Sequence, residues 1–258
     1  MKHLNKENVL FLVLACFFIG NTLIAEVIGP KMFSLEKSFG FQPVDWTLFG
    51  IEHLSFNFSA GSILWPLVFV MTDVINEYYG KRGVRFLTYM AVGVIAYAFL
   101  MLMLTTKAAP ADFWVAINQD IKPDINTAFN RIFSTGMLII LGSLSAFLVS
   151  QLMDAYIFHQ FKKATGDRLV WLRATGSTVV SQLLDSFIIL IIVFYIGADA
   201  EHRWSWNQIA AIGLMGYAYK VLTAVVLTPM LYFVHAIIAR YLGHELAESL
   251  KKSAVDPV

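Results

Sequence analysis

Six long apolar runs alternate with polar connectors along the chain, at about residues 9–29, 59–79, 84–106, 133–161, 172–197 and 207–242. About 20 consecutive apolar residues in a helix cross the hydrocarbon core of a bilayer, so each run predicts a transmembrane helix. The first run is too long for a signal-peptide core, and further hydrophobic helices follow it, so it is read as a span. The expected fold class is an all-α integral membrane protein, a single six-helix domain over residues 1–258, because packed helices satisfy every peptide group internally. Gly80, followed by Lys81, Arg82 and Arg85, predicts a tight turn between the second and third helices, and Pro229 predicts a kink in the last. The connector from Lys31 to Phe58 carries Gly40, Pro43 and Gly50; its pattern fits either a hairpin or an interfacial segment. Thr105 to Arg131 reads as a mixed loop with Pro110 and Pro123.

The polar exceptions inside the apolar runs are ordered. Ser150-Gln151-Leu152-Met153-Asp154 in the fourth run reappears as Ser181-Gln182-Leu183-Leu184-Asp185 in the fifth, with the basic connector Lys162 to Arg168 between them. The two aspartates then belong to neighbouring antiparallel helices. Asp154 is eight residues from Lys162 and Asp185 twelve from Arg173, depths of roughly 12 Å and 18 Å at 1.5 Å per residue. Ionisable groups at such depth pair with one another, line a cavity or mark a substrate path.

Charge settles the expected orientation. Lys and Arg number twelve on the side that holds Lys2, Lys6, Lys81, Arg82, Arg85, Lys162, Lys163, Arg168, Arg173, Arg240, Lys251 and Lys252, against six on the other, so the richer side, with both termini, is expected to be cytoplasmic. Trp46, Trp114, Trp204 and Trp206 fall in the opposite loops, where interfacial aromatics belong. The chain is 58% hydrophobic and 14% charged with mean hydropathy +0.65, values far from those of a soluble domain, and its net charge of +1 excludes a nucleic-acid surface. Cys16 is the single cysteine, so no disulfide framework or thiol metal site is expected. His159 and His235 lack a second ligand at helical spacing, and neither a metal nor another cofactor is expected.

Five ionisable residues from four helices are the candidate functional groups: Asp73, Glu77, Asp154, Asp185 and Lys220. Lys220 lies too centrally to snorkel and is expected to meet an acid, Asp185 first; a purely structural ion pair is the plainer alternative. Ser177, Thr178, Ser181, Gln182 and Asp185 form one polar stripe, and Ser143, Ser150, Gln151 and Asp154 another. Hydroxyls alone glue helices together, whereas Gln and Asp on the same face point to a polar cavity. Glu77, four residues from Lys81, fits a cap or surface salt bridge as well as a functional role, and Glu26 is expected to face the outer water.

Ser59-Ala60-Gly61, Pro66, Thr72-Asp73 and Glu77-Tyr78-Tyr79-Gly80 resemble the queuosine precursor transporter family (VUT). Ser181-Gln182-Leu183-Leu184-Asp185-Ser186 with Phe187 resembles its Ser-Gln-x-x-Asp helix, Tyr219-Lys220-Val221 with Thr228-Pro229 its last helix, and Asn21, Ala25 and Lys31 its first. The resemblance implies a bacterial inner-membrane importer of deazaguanine precursors of queuosine, related in fold to the substrate-binding subunits of energy-coupling-factor transporters. The long connectors and Glu26 depart from the family pattern.

The residues fit such a base. A guanine-like edge offers a ring N–H and an amino group to a carboxylate, and its carbonyl takes a donor such as Gln, Asn or Lys. Asp73 or Asp185 with Gln182, Asn21 and Lys220 are the candidate edge contacts, and Trp65, Phe187 or Tyr217 the stacking surface. Glu77, Gln151 and Asp154 are secondary candidates. The leading expectation is a secondary transporter, with an Asp carrying a proton. The alternative is a capture subunit served by a separate ATPase module, since this sequence has no Gly-x-x-x-x-Gly-Lys-Ser/Thr motif; homo-oligomerisation is left open. An intramembrane aspartyl protease is the reading from another class, disfavoured because neither Asp follows Gly-x-Gly.

Overall fold

The computed structural model describes residues 5–134, 137–165 and 169–254. Lys2 and the connector residues 166–168 lie outside them. Helix α1 (Lys6–Ile28) leads into a small β layer: β1 (Met32–Ser34), the short α2 (Leu35–Ser38), β2 (Trp46–Leu48), β3 (Ile51–Leu54) and β4 (Asn57–Ser59). β1 pairs antiparallel with β4 and β2 with β3, so the 31–58 connector is a pair of nested hairpins. A 3₁₀ turn at Ala60–Ile63 enters α3 (Trp65–Lys107). Short helices α4 (Asp112–Ala116) and α5 (Ile125–Phe133) occupy the mixed loop, and α6 (Met137–Thr165), α7 (Val170–Leu190), α8 (Trp206–Leu242) and α9 (His244–Ser253) follow. A π-helical turn, Ile191–Ile196, extends α7.

Five of these helices are long and apolar enough to cross a membrane, and the chain is an all-α integral membrane protein. The longest, α3, has 43 residues; straight, it would span about 65 Å, twice the hydrocarbon thickness. It is not straight. Gly80 leaves helical geometry at φ 65°, ψ −175°, and divides α3 into two arms. Glycine is required there twice over. The left-handed φ penalises any Cβ, and a Cβ would stand 2.7 Å from the Ala254 carbonyl, where the end of α9 presses on the break.

Several contacts gather the start of α1 and the end of α8 at one end of the bundle. Tyr79 Oη donates to the Glu7 carbonyl at 2.8 Å, and Lys6 Nζ to that of Tyr241 at 3.0 Å. The start of α1, the break in α3 and the end of α8 thus meet, with Ala247 and Leu250 of α9 packed into the same core as Val74 and Tyr78. At the opposite, hairpin end, Ser59 Oγ donates to the Gly29 carbonyl at 2.8 Å, and any Cβ on Gly61 would run into the Ala25 carbonyl. Glu36 closes the hairpins, accepting from the Phe56 N–H at 2.8 Å and from Ser34 Oγ at 3.0 Å. Burial acts to raise its pKa, and these hydrogen bonds more than offset that, leaving it below the ordinary carboxylate value. Phe17, Ile24, Tyr97, Leu104, Val226 and Phe233 are exposed on the outer faces of the long helices, the surface that lipid covers.

Candidate functional site

A cavity of about 580 Å³ opens at the hairpin end. Trp65 at the start of α3, Asp185 and Ser186 of α7, Tyr219 and Lys220 of α8 and Glu26 of α1 line it. β4 roofs it, where the Phe58 ring stacks on Tyr219 with centroids 4.3 Å apart. Arg131, Met32 and Asn57, all exposed, stand at its mouth.

At the wall of this cavity Lys220 Nζ donates to Asp185 Oδ2, the pairing expected from the central position of Lys220. The two side chains retain 17% and 24% exposure, so the pair faces the cavity instead of being sealed away. It offers an acceptor and a donor side by side. Glu26 departs from the expectation that it faces outer water: its Oε1 accepts from Ser143 Oγ of α6 at 2.5 Å. Gly61 lets the chain entering α3 approach the Ala25 carbonyl of α1, and Glu26, the next residue, lines the cavity.

The repeated five-residue pattern proves reciprocal. Ser150 Oγ of the first copy donates to Asp185 Oδ1 of the second at 3.3 Å, and Ser181 Oγ of the second donates to Asp154 Oδ1 of the first at 3.1 Å. Two antiparallel helices carrying the same Ser-x-x-x-Asp spacing must match Ser to Asp at both ends of the overlap. Asp154 is buried, and Ser177 Oγ of the facing stripe donates to the Ala174 carbonyl of its own helix at 3.1 Å. Gln151 Oε1 accepts from Thr72 Oγ1 of α3 at 3.0 Å.

Nearer the terminal end the structure corrects two expectations. Arg173 and Lys162 belong not to a solvated connector but to the core, at 0% and 2% exposure. Both engage Glu77, itself buried, in place of the surface bridge to Lys81: Arg173 NH2 lies 2.7 Å from Oε1 and Lys162 Nζ 3.5 Å from Oε2. Lys162 also donates to the Glu77 main-chain carbonyl at 2.7 Å, one of the last carbonyls before the break, where helical donors run out. The heptad-like spacing held the signal: Arg173 is one turn before Ser177 and two before Ser181, and Lys162 two turns after Asp154. Each continues its polar stripe.

Of the residues singled out as binding candidates, Asp185, Lys220 and Trp65 line the large cavity. Asp73, Gln182, Gln151 and Asp154 are buried towards the bundle interior, and Asp73 Oδ1 and Gln182 Oε1 have no hydrogen-bond partner among the described residues. Asn21 turns its amide to the Phe17 carbonyl of its own helix at 2.8 Å. Phe187 packs on Gly213, where a Cβ would stand 2.8 Å from its ring. Tyr217 is absent from the lining and Tyr219 takes that place; Ser186, Tyr219 and Glu26 are among the lining residues named in the sequence but not chosen as binding candidates.

A family model described as "Putative vitamin uptake transporter" matches residues 59–234, which include Trp65, Asp185, Tyr219 and Lys220 of the cavity but not the lining residues that precede Ser59, Glu26 and Phe58 among them. A protein of Bacillus subtilis named "Probable queuosine precursor transporter" is 32% identical over 145 residues, 56% of this chain and 59% of its own length. One of the same name from Haemophilus influenzae is 23% identical over 67% of this chain and 66% of its own length, and the Escherichia coli "Queuosine precursor transporter" 24% identical over 68% and 72%. The aligned part thus spans less than two thirds of the first two relatives. No solved structure matches the chain. With more than half of its length matched, from the entry to α3 through most of α8, the chain belongs to this family of vitamin uptake transporters.

Proposed function

We propose that the protein imports a deazaguanine precursor of queuosine across a bacterial inner membrane as a secondary transporter. The observation that carries this reading is the Asp185–Lys220 pair at the wall of the 580 Å³ cavity, a volume within the roughly 300–1,000 Å³ usual for small-molecule sites. Asp185 would accept the ring N–H and amine of a guanine-like edge while Lys220 donates to its carbonyl, so that one ion pair presents both halves of the pattern. Trp65 and Tyr219 supply flat faces for stacking. The names of the three relatives support the substrate class.

The test is uptake of a labelled deazaguanine base by reconstituted liposomes without ATP. Accumulation, competed by unlabelled base and dependent on an ion gradient, is expected. Specific binding without uptake would instead favour a capture subunit that needs an ATPase module. Absence of both would remove the substrate assignment.

In this reading the two arms of α3 are separate crossings, which makes six spans with both termini cytoplasmic and the cavity open to the outside. In a Cys16→Ser background, single cysteines at Lys163 and Lys252 should resist an impermeant thiol reagent in intact cells, whereas those at Ser38 and Glu201 should react. Labelling at Lys163 would reverse the orientation.

A further inference from the structure

Between α3, α7 and α8 lies a second cavity, of about 20 Å³, lined by Asp73, Thr175, Thr178 and Thr228 within an otherwise apolar wall of which Pro66, Phe69 and Leu231 are part. Space of that size holds one water-sized body. Asp73 is 6% exposed, and its Oδ1 has no hydrogen-bond partner among the described residues. A buried carboxylate oxygen in that condition is costly unless something positive meets it.

The charges around it do not balance. Asp154 of α6 and Glu77 and Arg173 of α3 and α7 face Asp73. Among the described residues, the buried ionisable groups of the spans at this level are three carboxylates, Asp73, Glu77 and Asp154, and two bases, Lys162 and Arg173, with histidine counted neutral. Both bases are bound to Glu77. Asp154 accepts from Ser181 Oγ, whereas Asp73 Oδ1 meets no donor among the described residues, so the missing positive charge belongs at Asp73.

We propose that the small cavity is a binding site for one monovalent metal cation, sodium, held by the Asp73 carboxylate and the hydroxyls of Thr175, Thr178 and Thr228. Carboxylate and hydroxyl oxygens are the donors that hard cations take. Thr175 and Thr228 already converge, their Oγ1 atoms 3.5 Å apart, and stand on different helices. A cation there joins α3, α7 and α8, the three helices that also carry Trp65, Asp185 and Lys220 into the large cavity. Occupancy of the small site would therefore favour the arrangement that builds the large one, and sodium would be the coupling ion. The coupling rests on the transport reading above; the binding does not.

The test is thermal unfolding of the detergent-solubilised full chain in sodium, potassium or choline chloride at equal ionic strength, at pH 6 and pH 7.5. Sodium should raise Tm in a saturable way that choline does not reproduce. Asp73→Asn should abolish the effect. Thr228→Val, which keeps shape and removes one ligand, should retain the fold and raise the half-saturating sodium concentration at least tenfold, so the test survives if the Asp73 variant fails to fold. Equal Tm in the three salts, or a sodium effect untouched in Thr228→Val, overturns the site; a Tm that follows pH and ignores sodium assigns the missing charge to a proton instead. In liposomes, an inward sodium gradient should accelerate deazaguanine uptake. Sodium-dependent Tm with no uptake under any gradient would sink the transport reading and leave the site standing.

Discussion

Arg173→Ala should destabilise the protein by about 3–5 kcal/mol, the usual consequence of stripping one partner from a buried ion pair. Arg173 is fully buried, its guanidinium 2.7 Å from a carboxylate that is itself 2% exposed, and neither residue lines the large cavity. Among the described residues, truncation would leave the Glu77 carboxylate the longer, 3.5 Å contact to Lys162. The loss should appear as a lower midpoint in denaturant unfolding in detergent micelles. The triple change Arg173→Met, Lys162→Met and Glu77→Gln should recover more than half of it, because well-packed neutral groups cost less than a buried charge stripped of its partner. A loss below about 1 kcal/mol, the range of surface pairs, would mean that the cluster is wet and contributes little. Since Glu77 sits three residues before the break at Gly80, against which α9 packs, the same cluster closes the terminal end of the bundle.

At the Asp185–Lys220 pair the larger effect should fall on transport. Asp185→Asn and Lys220→Met should each lower folded yield less than Arg173→Ala does, because the side chains keep about a fifth of their surface in the cavity and water can solvate whichever charge remains. Uptake should respond differently. A hydrogen bond to a charged group contributes about 1.5–3 kcal/mol, so removing either partner should weaken binding of a guanine-like base by roughly ten- to hundredfold. An analogue without the exocyclic amine should lose affinity for the unaltered protein but lose little more when Asp185 becomes Asn. The double variant should restore yield without restoring uptake. Additive losses of amine and carboxylate would show that Asp185 serves the fold and that other residues read the base.

Much of this arrangement is written in local pattern. Each apolar run is long enough that only a helix in lipid satisfies its backbone, and the duplicated Ser-Gln-x-x-Asp segment stands out because polar groups inside such runs are expensive. Lys220 could be assigned an acidic partner for the same reason. Periodicity along one helix also places Arg173 and Lys162 on the faces of Ser177 and Asp154, although proximity to a connector disguises it.

What sequence by itself determined, then, is the membrane fold class and that Lys220 needs an acidic partner, because desolvation is a property of a residue and its immediate run. Only the tertiary structure decided which partner each charge meets. Antiparallel packing of α6 on α7 makes the two Ser-Asp contacts reciprocal; the fold of α3 at Gly80 carries Glu77 to Arg173, 96 residues away; Glu26 of α1 lies in the cavity wall and not in outer water. Hairpin pairing brings Phe58 onto Tyr219 instead of Tyr217. Such contacts depend on helix rotation and on distances between segments far apart in the chain, and no periodicity within a single run encodes them.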